Sequence, residues 1–438
     1  MNKYELEAND INIRNSLIDD KIGNQEYLSS IIRLISNIDD NEVICIDGDW
    51  GVGKTFLVKQ LMYLIIHYNE DNKEQFKIIE NEKGDLTNLC ENNLVFYYNA
   101  WENDDHNNVL ESLIYNILNE YPKYKDEITN NFNKEETVKE VLNILTKIVS
   151  SKLLNIDLSA DKIDRIKTFK DLTNEINTIE EKKELFKKLL DKILVNKRMI
   201  LIIDELDRCN PNFATKILEV IKHFYNLSNI TVLVVSNNNE LQHTIKKQYG
   251  QDFNAYNYLN KFFDFTFTID NNRSINYSKK FLQFKNETFL PHDVSFAMME
   301  KYRFTLRDCN RFRLLYDTAV EYIEDKSRRN LFFDEKEYYC LYMIILPIIY
   351  SFKIKDIEAY AQCLAGKTEK LEEALKYLNE FFIKNNHGSW LLDFVNINNE
   401  NKDITDDDII KEISNTFVKF FNSGGLDKIF LKAIKINI

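Results

Sequence analysis

The chain has 438 residues, of which 44% are hydrophobic, so it is long enough for two or three domains with a sizeable core. It contains only 10 glycines and 4 prolines, which argues against turn-rich sandwiches and propellers and favours long helices. The formal net charge of -13 argues against a broad nucleic-acid-binding surface, although a local basic patch stays open.

The cysteines and the apolar runs indicate a cellular location. The six cysteines form no CxxC pair, a pattern typical of a reducing cytoplasm without disulfides or zinc. The N-terminal residues contain no apolar signal-peptide segment. The longest apolar run, residues 338–352, is shorter than the roughly 20 residues of a spanning helix and contains Pro347, which favours a buried helix. We therefore expect a cytoplasmic protein without a membrane span, and a membrane-bound partner is left open.

Apolar strands alternate with helical segments along the first part of the chain. Residues 43–47 form an apolar run that leads into a glycine loop, and residues 56–66 follow with leucines at helical spacing. Four further buried strands are predicted, in chain order, at 94–98, 199–203, 230–235 and 262–269. Because the strands are apolar throughout and alternate with helices, we predict a three-layer α/β domain with a parallel sheet covered on both faces.

Charged helical patterns fill the rest of the chain. Residues of about 125–195 have no strand signal, which predicts a helical insertion between the second and third strands. From about residue 270 onward the pattern is again mostly helical. We therefore predict that the α/β domain spans residues 1–270 and that residues 271–438 form an α-helical C-terminal domain.

The glycine loop at residues 48–55, GDWGVGKT, matches the GxxxxGK[ST] pattern between a strand and a helix. In such a loop the backbone N–H groups and a helix N-terminus face the phosphates of a nucleotide. Lys54 would reach the β- and γ-phosphates, and the Thr55 hydroxyl would bind Mg²⁺. The absence of a guanine-selecting NKxD signature favours ATP over GTP. The candidate nucleotide-binding residues are Gly48, Asp49, Trp50, Gly51, Val52, Gly53, Lys54, Thr55 and Phe56.

Two acids end the third predicted strand. In P-loop enzymes an acid at this place holds the Mg²⁺ shell, which assigns Asp204 to the metal together with Thr55. Glu205 would polarise the attacking water as a general base. The alternative is that both acids cap the strand and are solvated. Arg208 could reach a phosphate, a neighbouring subunit, or Asp207 alone.

Several motifs in this order resemble those of the KAP family of P-loop NTPases. They are GDWGVGKT at 48–55, YYNAWENDD at 97–105, LIIDELDRC at 201–209, YLNKFFDFTF at 258–267 and LRDCNRF at 306–312, and the resemblance covers roughly residues 18–315. It implies an ATPase that acts as a nucleotide-dependent switch or assembly factor, similar to components of bacterial anti-phage systems. It also implies a protein partner or self-association.

The resemblance implies further roles for single residues. Arg307 would be a catalytic sensor arginine that contacts the γ-phosphate, with a surface ion pair to Asp308 or a neighbouring acid as the alternative. The family usually has an aspartate at the end of the fourth strand, where this chain has Asn237. Asn237 could still orient a water or sense phosphate.

Several assignments are left open by the residues alone. Arg303, Arg307 and Arg311 recur every four residues, which predicts one helical face that could meet phosphates, an acidic partner or nucleic acid. Arg311 could also act across a subunit boundary. We expect Trp101 to pack in the core, and Glu102 is either a second acid near the γ-phosphate or solvated. For the whole protein, the alternatives to hydrolysis are a P-loop kinase and an ATP-binding scaffold without turnover.

Overall fold

The computed structural model divides the chain into two compact units. We call them the sheet unit, Leu6–Asp20 with Asn24–Asp270, and the helical unit, Met1–Glu5, Lys21–Gly23 and Asn271–Ile438. Most of the predicted helical insertion at 125–195 lies outside the described residues. The structure describes residues 7–20, 22–38, 41–69, 75–76, 83–104, 109–120, 187, 194, 197–224, 229–270, 277, 289–327, 339–385 and 405–422.

Five parallel strands form the centre of the sheet unit. They lie in the spatial order β2-β3-β4-β1-β5, and every neighbouring pair is parallel. β4 is buried along its whole length, and β3 is buried at all but its first residue, because both are apolar on their two faces. The predicted parallel α/β sheet is confirmed. The strands are β1 (Val43–Asp47), β2 (Asn93–Asn99), β3 (Arg198–Asp204), β4 (Ile230–Ser236) and β5 (Phe265–Thr268).

The strand ends differ slightly from the predicted ones. β1 has the predicted bounds, whereas β2, β3 and β4 extend beyond their apolar runs. The added residues are mostly polar, yet they still pair in the ladder: Asn99 lies opposite Asp204, and Ser236 lies opposite Asp47. β5 is shorter than predicted and exposed along most of its length. The apolar runs therefore predict where the strands lie but not the polar residues at their carboxyl ends.

Helices follow the strands of the sheet unit. Pro211 begins one of them, where its missing N–H group costs no hydrogen bond. Phe213, Ile217 and Ile221 from this helix are buried. The helices are α1 (Asp10–Asp19), α2 (Gln25–Asn37), α3 (Lys54–His67), α4 (Lys83–Asn92), α5 (Val109–Glu120), α6 (Pro211–Phe224), α7 (Asn238–Tyr249) and α8 (Ala255–Leu259).

The described residues of the helical unit pack around their own apolar core. The apolar run predicted as a buried helix forms a π-helical turn, Tyr339–Ile345, that continues into a helix with Pro347 in its first turn. No helix among the residues described is long and apolar enough to cross a membrane. The helices are α9 (Phe289–Lys301), α10 (Leu306–Ser327), α11 (Leu346–Lys355), α12 (Ile357–Leu364), α13 (Glu369–Lys384) and α14 (Asp406–Asn422).

Candidate functional site

The carboxyl ends of three neighbouring strands carry the candidate site. β4 lies between β1 and β3, so the residues that follow these three strands meet at one edge of the sheet. Gly48 follows β1, Glu205 follows β3 and Asn237 follows β4. The topology therefore gathers the glycine loop, the acidic turn and the polar end of the fourth strand.

Glycines determine the conformation of the loop after β1. Gly51 and Gly53 have φ values of 86° and 90°, in the region that side chains other than glycine rarely adopt. A Cβ on Gly48 would lie 3.0 Å from the carbonyl oxygen of Ile269 and 3.1 Å from a methyl group of Val52. The loop thus needs glycine at all three positions.

The loop leads directly into the N-terminus of α3. Gly53 is the N-cap, and its carbonyl accepts from the N–H of Leu57 at 3.0 Å. The N–H groups of the helical residues that precede Leu57 have no intrahelical acceptor, as at any helix start. These groups can face an anion. The side chains of Phe56 and Val52 are buried, so these two predicted residues can offer a nucleotide only their backbone, whereas Asp49 is exposed.

The ammonium group of Lys54 is buried within the loop. Its Nζ donates to the carbonyl oxygens of Gly48 at 2.5 Å and of Asp49 at 3.1 Å. Burial lowers the pKa of Lys54, while the carboxylates of Asp207 and Asp204 act in the opposite direction. A desolvated cation that is held by neutral carbonyl oxygens can form stronger hydrogen bonds with charged phosphate oxygens.

The carboxylate of Asp204 is 2% exposed at the end of β3. It accepts from the Tyr97 hydroxyl at 2.9 Å and from the Glu205 backbone N–H at 2.7 Å, and the Thr55 side chain is close enough to lower its pKa. Burial raises the pKa of Asp204, and these hydrogen bonds lower it. The two residues predicted to bind the metal, Thr55 and Asp204, therefore lie near each other.

Tyr97 is a site residue that sequence reasoning missed. It lies on β2, opposite Ile202 of β3, and its ring is within 4.9 Å of the Lys59 Nζ. Its neighbour Tyr98 is fully buried, as expected for alternating strand side chains. That alternation, within the YYNAW motif, was the signal that could have indicated a tyrosine hydroxyl near the acids.

Glu205 adopts an unusual backbone conformation. Its φ of 60° and ψ of 29° lie in the left-handed region, which is uncommon for residues other than glycine. Its carboxylate forms an ion pair with Arg208 at 2.8 Å, and the Glu205 side chain is 17% exposed. Burial raises the pKa of Glu205, whereas Arg208 lowers it. The carboxylate is thus held in place and still reaches solvent.

The turn Leu206–Arg208 places its two charged side chains against two tryptophans. Arg208 pairs with Glu205, not with Asp207, and its guanidinium lies 5.4 Å from the centre of the Trp101 ring. The expectation that Trp101 packs in the core is wrong, because its side chain is 53% exposed. Asp207 instead accepts a hydrogen bond from Trp50 Nε1.

Two further candidates lie at the same edge of the sheet. The Asn237 side chain is buried, and its Oδ1 caps α7 by accepting from the N–H groups of Asn239 at 3.1 Å and Glu240 at 3.4 Å. Glu102 is exposed in the turn after β2, and its negative charge contributes to the raised pKa of Glu205. Asn237 therefore stabilises the start of α7. Glu102 is near enough to Glu205 for its charge to act on that carboxylate.

The arginines of the helical unit do not all share one helical face. Arg303 precedes α10 and has a φ of 47°, so the prediction of a common face is wrong for this residue. Arg307 and Arg311 are on α10 and exposed. The suggested ion pair between Arg307 and Asp308 is not formed, since Asp308 pairs with Lys355 at 2.5 Å and caps the helix start.

A magnesium ion fits this donor set. Mg²⁺ is usually bound through one or two protein ligands together with substrate phosphates and waters. Thr55 and Asp204 supply two oxygen ligands of this kind beside the glycine loop. Within the described part of the chain, no cluster of three or more His, Cys, Asp or Glu side chains could hold a metal by itself.

Comparison with known proteins adds one finding. The family model described as KAP family P-loop domain matches residues 24–312, which is more than half of the chain. The matched range includes the glycine loop, the acidic turn and the first residues of α10. A comparison with curated proteins finds no match.

Proposed function

The chain belongs to the KAP family of P-loop NTPases, a family of nucleotide-binding domains, and we propose that it binds Mg-ATP and hydrolyses it to ADP and phosphate. The observation that carries this proposal is the place of the buried Asp204 at the carboxyl end of β3, at the same edge of the sheet as the glycine loop, with Thr55 and Lys54 close enough to lower its pKa. This placement pairs a hydroxyl in the first turn of α3 with the acid that ends β3. Such a pair is what an Mg-dependent P-loop enzyme requires.

Different residues would bind the phosphates and the Mg²⁺ ion. The glycine loop and the start of α3 direct backbone N–H groups at the phosphates, and Lys54 adds a buried positive charge. Thr55 and Asp204 would hold Mg²⁺, which, when bound, neutralises charge on the phosphate oxygens. These residues orient the nucleotide and stabilise the negative charge that moves onto ADP as the bond to the γ-phosphorus breaks.

Glu205 is the proposed general base. It takes a proton from the water whose oxygen forms the new bond to the γ-phosphorus. Arg208 holds one carboxylate oxygen, which leaves the other free to accept from that water. Arg307, Arg311 and Asn237 remain proposed sensors of the nucleotide, supported by the exposure of the two arginines and by the place of Asn237 after β4.

The experiment that tests hydrolysis measures phosphate release from the purified full chain with Mg-ATP. We expect turnover in the wild type, a loss of about 100-fold in Lys54→Ala, and ADP and phosphate as the only products. Glu219→Gln, at an exposed position on α6, is the control and should behave as the wild type. A second phosphorylated product would indicate a kinase. Tight ATP binding without turnover would indicate a scaffold.

We propose further that hydrolysis drives a switch that controls a protein partner or self-association, with a role in anti-phage defence as the resemblance implies. The exposed rings of Trp50 and Trp101 beside the acids support this, because a partner could contact them.

Light scattering with ATP or ADP should show a nucleotide-dependent mass. Expression in bacteria should lower phage plaque numbers, and Lys54→Ala should abolish that protection. Equal masses and equal plaque numbers would contradict the switch.

A further inference from the structure

One hydrogen bond connects the glycine loop to the acidic turn. Trp50 Nε1 donates to Asp207 Oδ2 at 2.5 Å. Trp50 belongs to the phosphate-binding loop, and Asp207 belongs to the turn that directly follows Glu205. The two residues are far apart in sequence, so this bond ties the group that binds phosphate to the group that carries the proposed base.

The carboxylate of Asp207 is a buried charge with a specific set of neighbours. It is 7% exposed, and a buried carboxylate is costly unless it is hydrogen-bonded or paired. It accepts from the Trp50 indole, and it contributes the largest of the attractive charges that act on Lys54. Both neighbours belong to the glycine loop. The hydrogen bond to Asp207 and its attraction to Lys54 therefore both depend on the position of that loop.

Trp50 is held by partial burial of its ring and by its polar group. Its side chain is 45% exposed, so burial accounts for only part of what fixes the ring. An indole has a single N–H donor, and in Trp50 that donor is used by Asp207. The N–H group of this half-exposed ring therefore provides the directed contact between the glycine loop and the acidic turn.

We propose that Asp207 is a positioning residue for ATP hydrolysis, which acts through the Trp50 N–H to hold the glycine loop and Glu205 in a fixed relation. The inference rests on the proposed function of the same site. It predicts an effect on kcat and little effect on KM, because every group that binds the phosphates stays on the loop. If Asp207 served only to neutralise Lys54, its loss would act mainly on nucleotide affinity.

The test combines Trp50→Phe, Asp207→Ala and the double variant in the full chain, with Mg-ATP as substrate. Each single change should lower kcat about 10-fold, which corresponds to about 1.4 kcal/mol, and leave KM within about 2-fold. The double variant should be no slower than the single variants, since all three lack the same hydrogen bond. Asp207→Asn keeps an acceptor oxygen and should restore kcat to within about 3-fold of the wild type.

The control is Tyr256→Phe, which removes a polar group from a ring that is 61% exposed on α8, and its kcat should equal that of the wild type. Thermal unfolding of each variant shows whether it is folded. Trp50→Phe changes a half-exposed side chain, so it tests the inference even if Asp207→Ala does not fold. A wild-type kcat in Trp50→Phe, effects that multiply in the double variant, or an Asp207→Ala effect on KM alone would overturn the inference. A wild type without turnover would overturn the proposed function as well, so the two failures are distinguishable.

Discussion

The glycine loop and the acidic turn use the same unusual backbone region in two different ways. Gly51 and Gly53 reach positive φ values because they have no Cβ, so their conformation costs little. Glu205 reaches a φ of 60° with a full side chain, at a cost of about 1–2 kcal/mol. Strain at a residue placed beside a buried acid is typical of a functional position, and the rest of the structure must stabilise it.

Contacts of the neighbouring residues supply that stabilisation. Asp204 Oδ1 accepts from the Glu205 N–H at 2.7 Å, and the Glu205 carbonyl accepts from the Arg208 N–H at 3.1 Å. The Arg208 side chain returns to the Glu205 carboxylate. The loop is thus shaped by local residue type, whereas the turn is shaped by hydrogen bonds and charge. The two regions should therefore respond differently to substitution.

The largest expected effect comes from removing the charge of Asp204 while keeping its shape. Asp204→Asn retains an oxygen for the Glu205 N–H, so the turn should survive. The Mg²⁺ ligand is weakened, and we expect phosphate release to fall by about 100-fold. The unfolding midpoint should not fall, because burial already disfavours the charged form of this carboxyl. A parallel loss of stability would show that the charge itself holds the turn.

A smaller effect is expected when a side chain is added to the loop. Gly53→Ala forces alanine to a φ of 90°, which should cost about 1–2 kcal/mol of unfolding free energy and weaken ATP binding. Gly23→Ala is the matched control, since Gly23 has a φ of 71° and open space around its Cβ position. It should lose stability with unchanged turnover. Denaturant unfolding and ATP titration of both variants make the comparison, and equal affinities would contradict it.

A still smaller effect is expected from Arg208→Ala. Without the guanidinium, the Glu205 carboxylate loses its orientation and its pKa rises further. A base with a raised pKa is protonated at higher pH, so activity should be lost earlier as the pH falls. We expect kcat to drop about 3- to 10-fold near neutral pH, with the acid limb of the pH profile moved upward. Arg14→Ala, which changes an exposed arginine of α1, is the control. A rise in kcat would contradict the positioning role.

The smallest effect separates strain from chemistry at a single position. Glu205→Ala and Glu205→Gly both remove the base, so their turnover should fall equally and only their stabilities should differ. Glycine tolerates the left-handed conformation, and we expect the glycine variant to be more stable than the alanine variant by about 1 kcal/mol. Denaturant unfolding of the two variants measures this difference. Equal stabilities would show that the turn relaxes once the side chain is removed.

The same contrast explains what the sequence could predict. The sheet, the glycine loop and the place of Asp204 at the end of β3 follow from apolar runs and motif spacing, which are local signals. The left-handed Glu205 and the hydrogen bond from Trp50 to Asp207 depend on how separate segments meet, so no local pattern indicates them.

Two incorrect expectations have the same origin. The Trp101 ring lies exposed with the Arg208 guanidinium near its face, a tertiary contact that its place after the second strand does not indicate. Arg303 was placed on a helical face from its spacing, whereas the helix begins three residues later, at Leu306. Spacing predicts a shared face only inside one helix. Residue type and spacing thus gave the framework of the site, and tertiary contacts decided its details.

The most direct test of the central claim is single-turnover hydrolysis of Mg-ATP by Glu205→Gln, with nucleotide affinity measured on the same samples. Glutamine has nearly the same shape as glutamate but cannot take a proton from water. The account predicts wild-type affinity and hydrolysis that is slower by about 100-fold or more. Hydrolysis at the wild-type rate would contradict the assignment of Glu205 as the base and with it the catalytic role of the acidic turn.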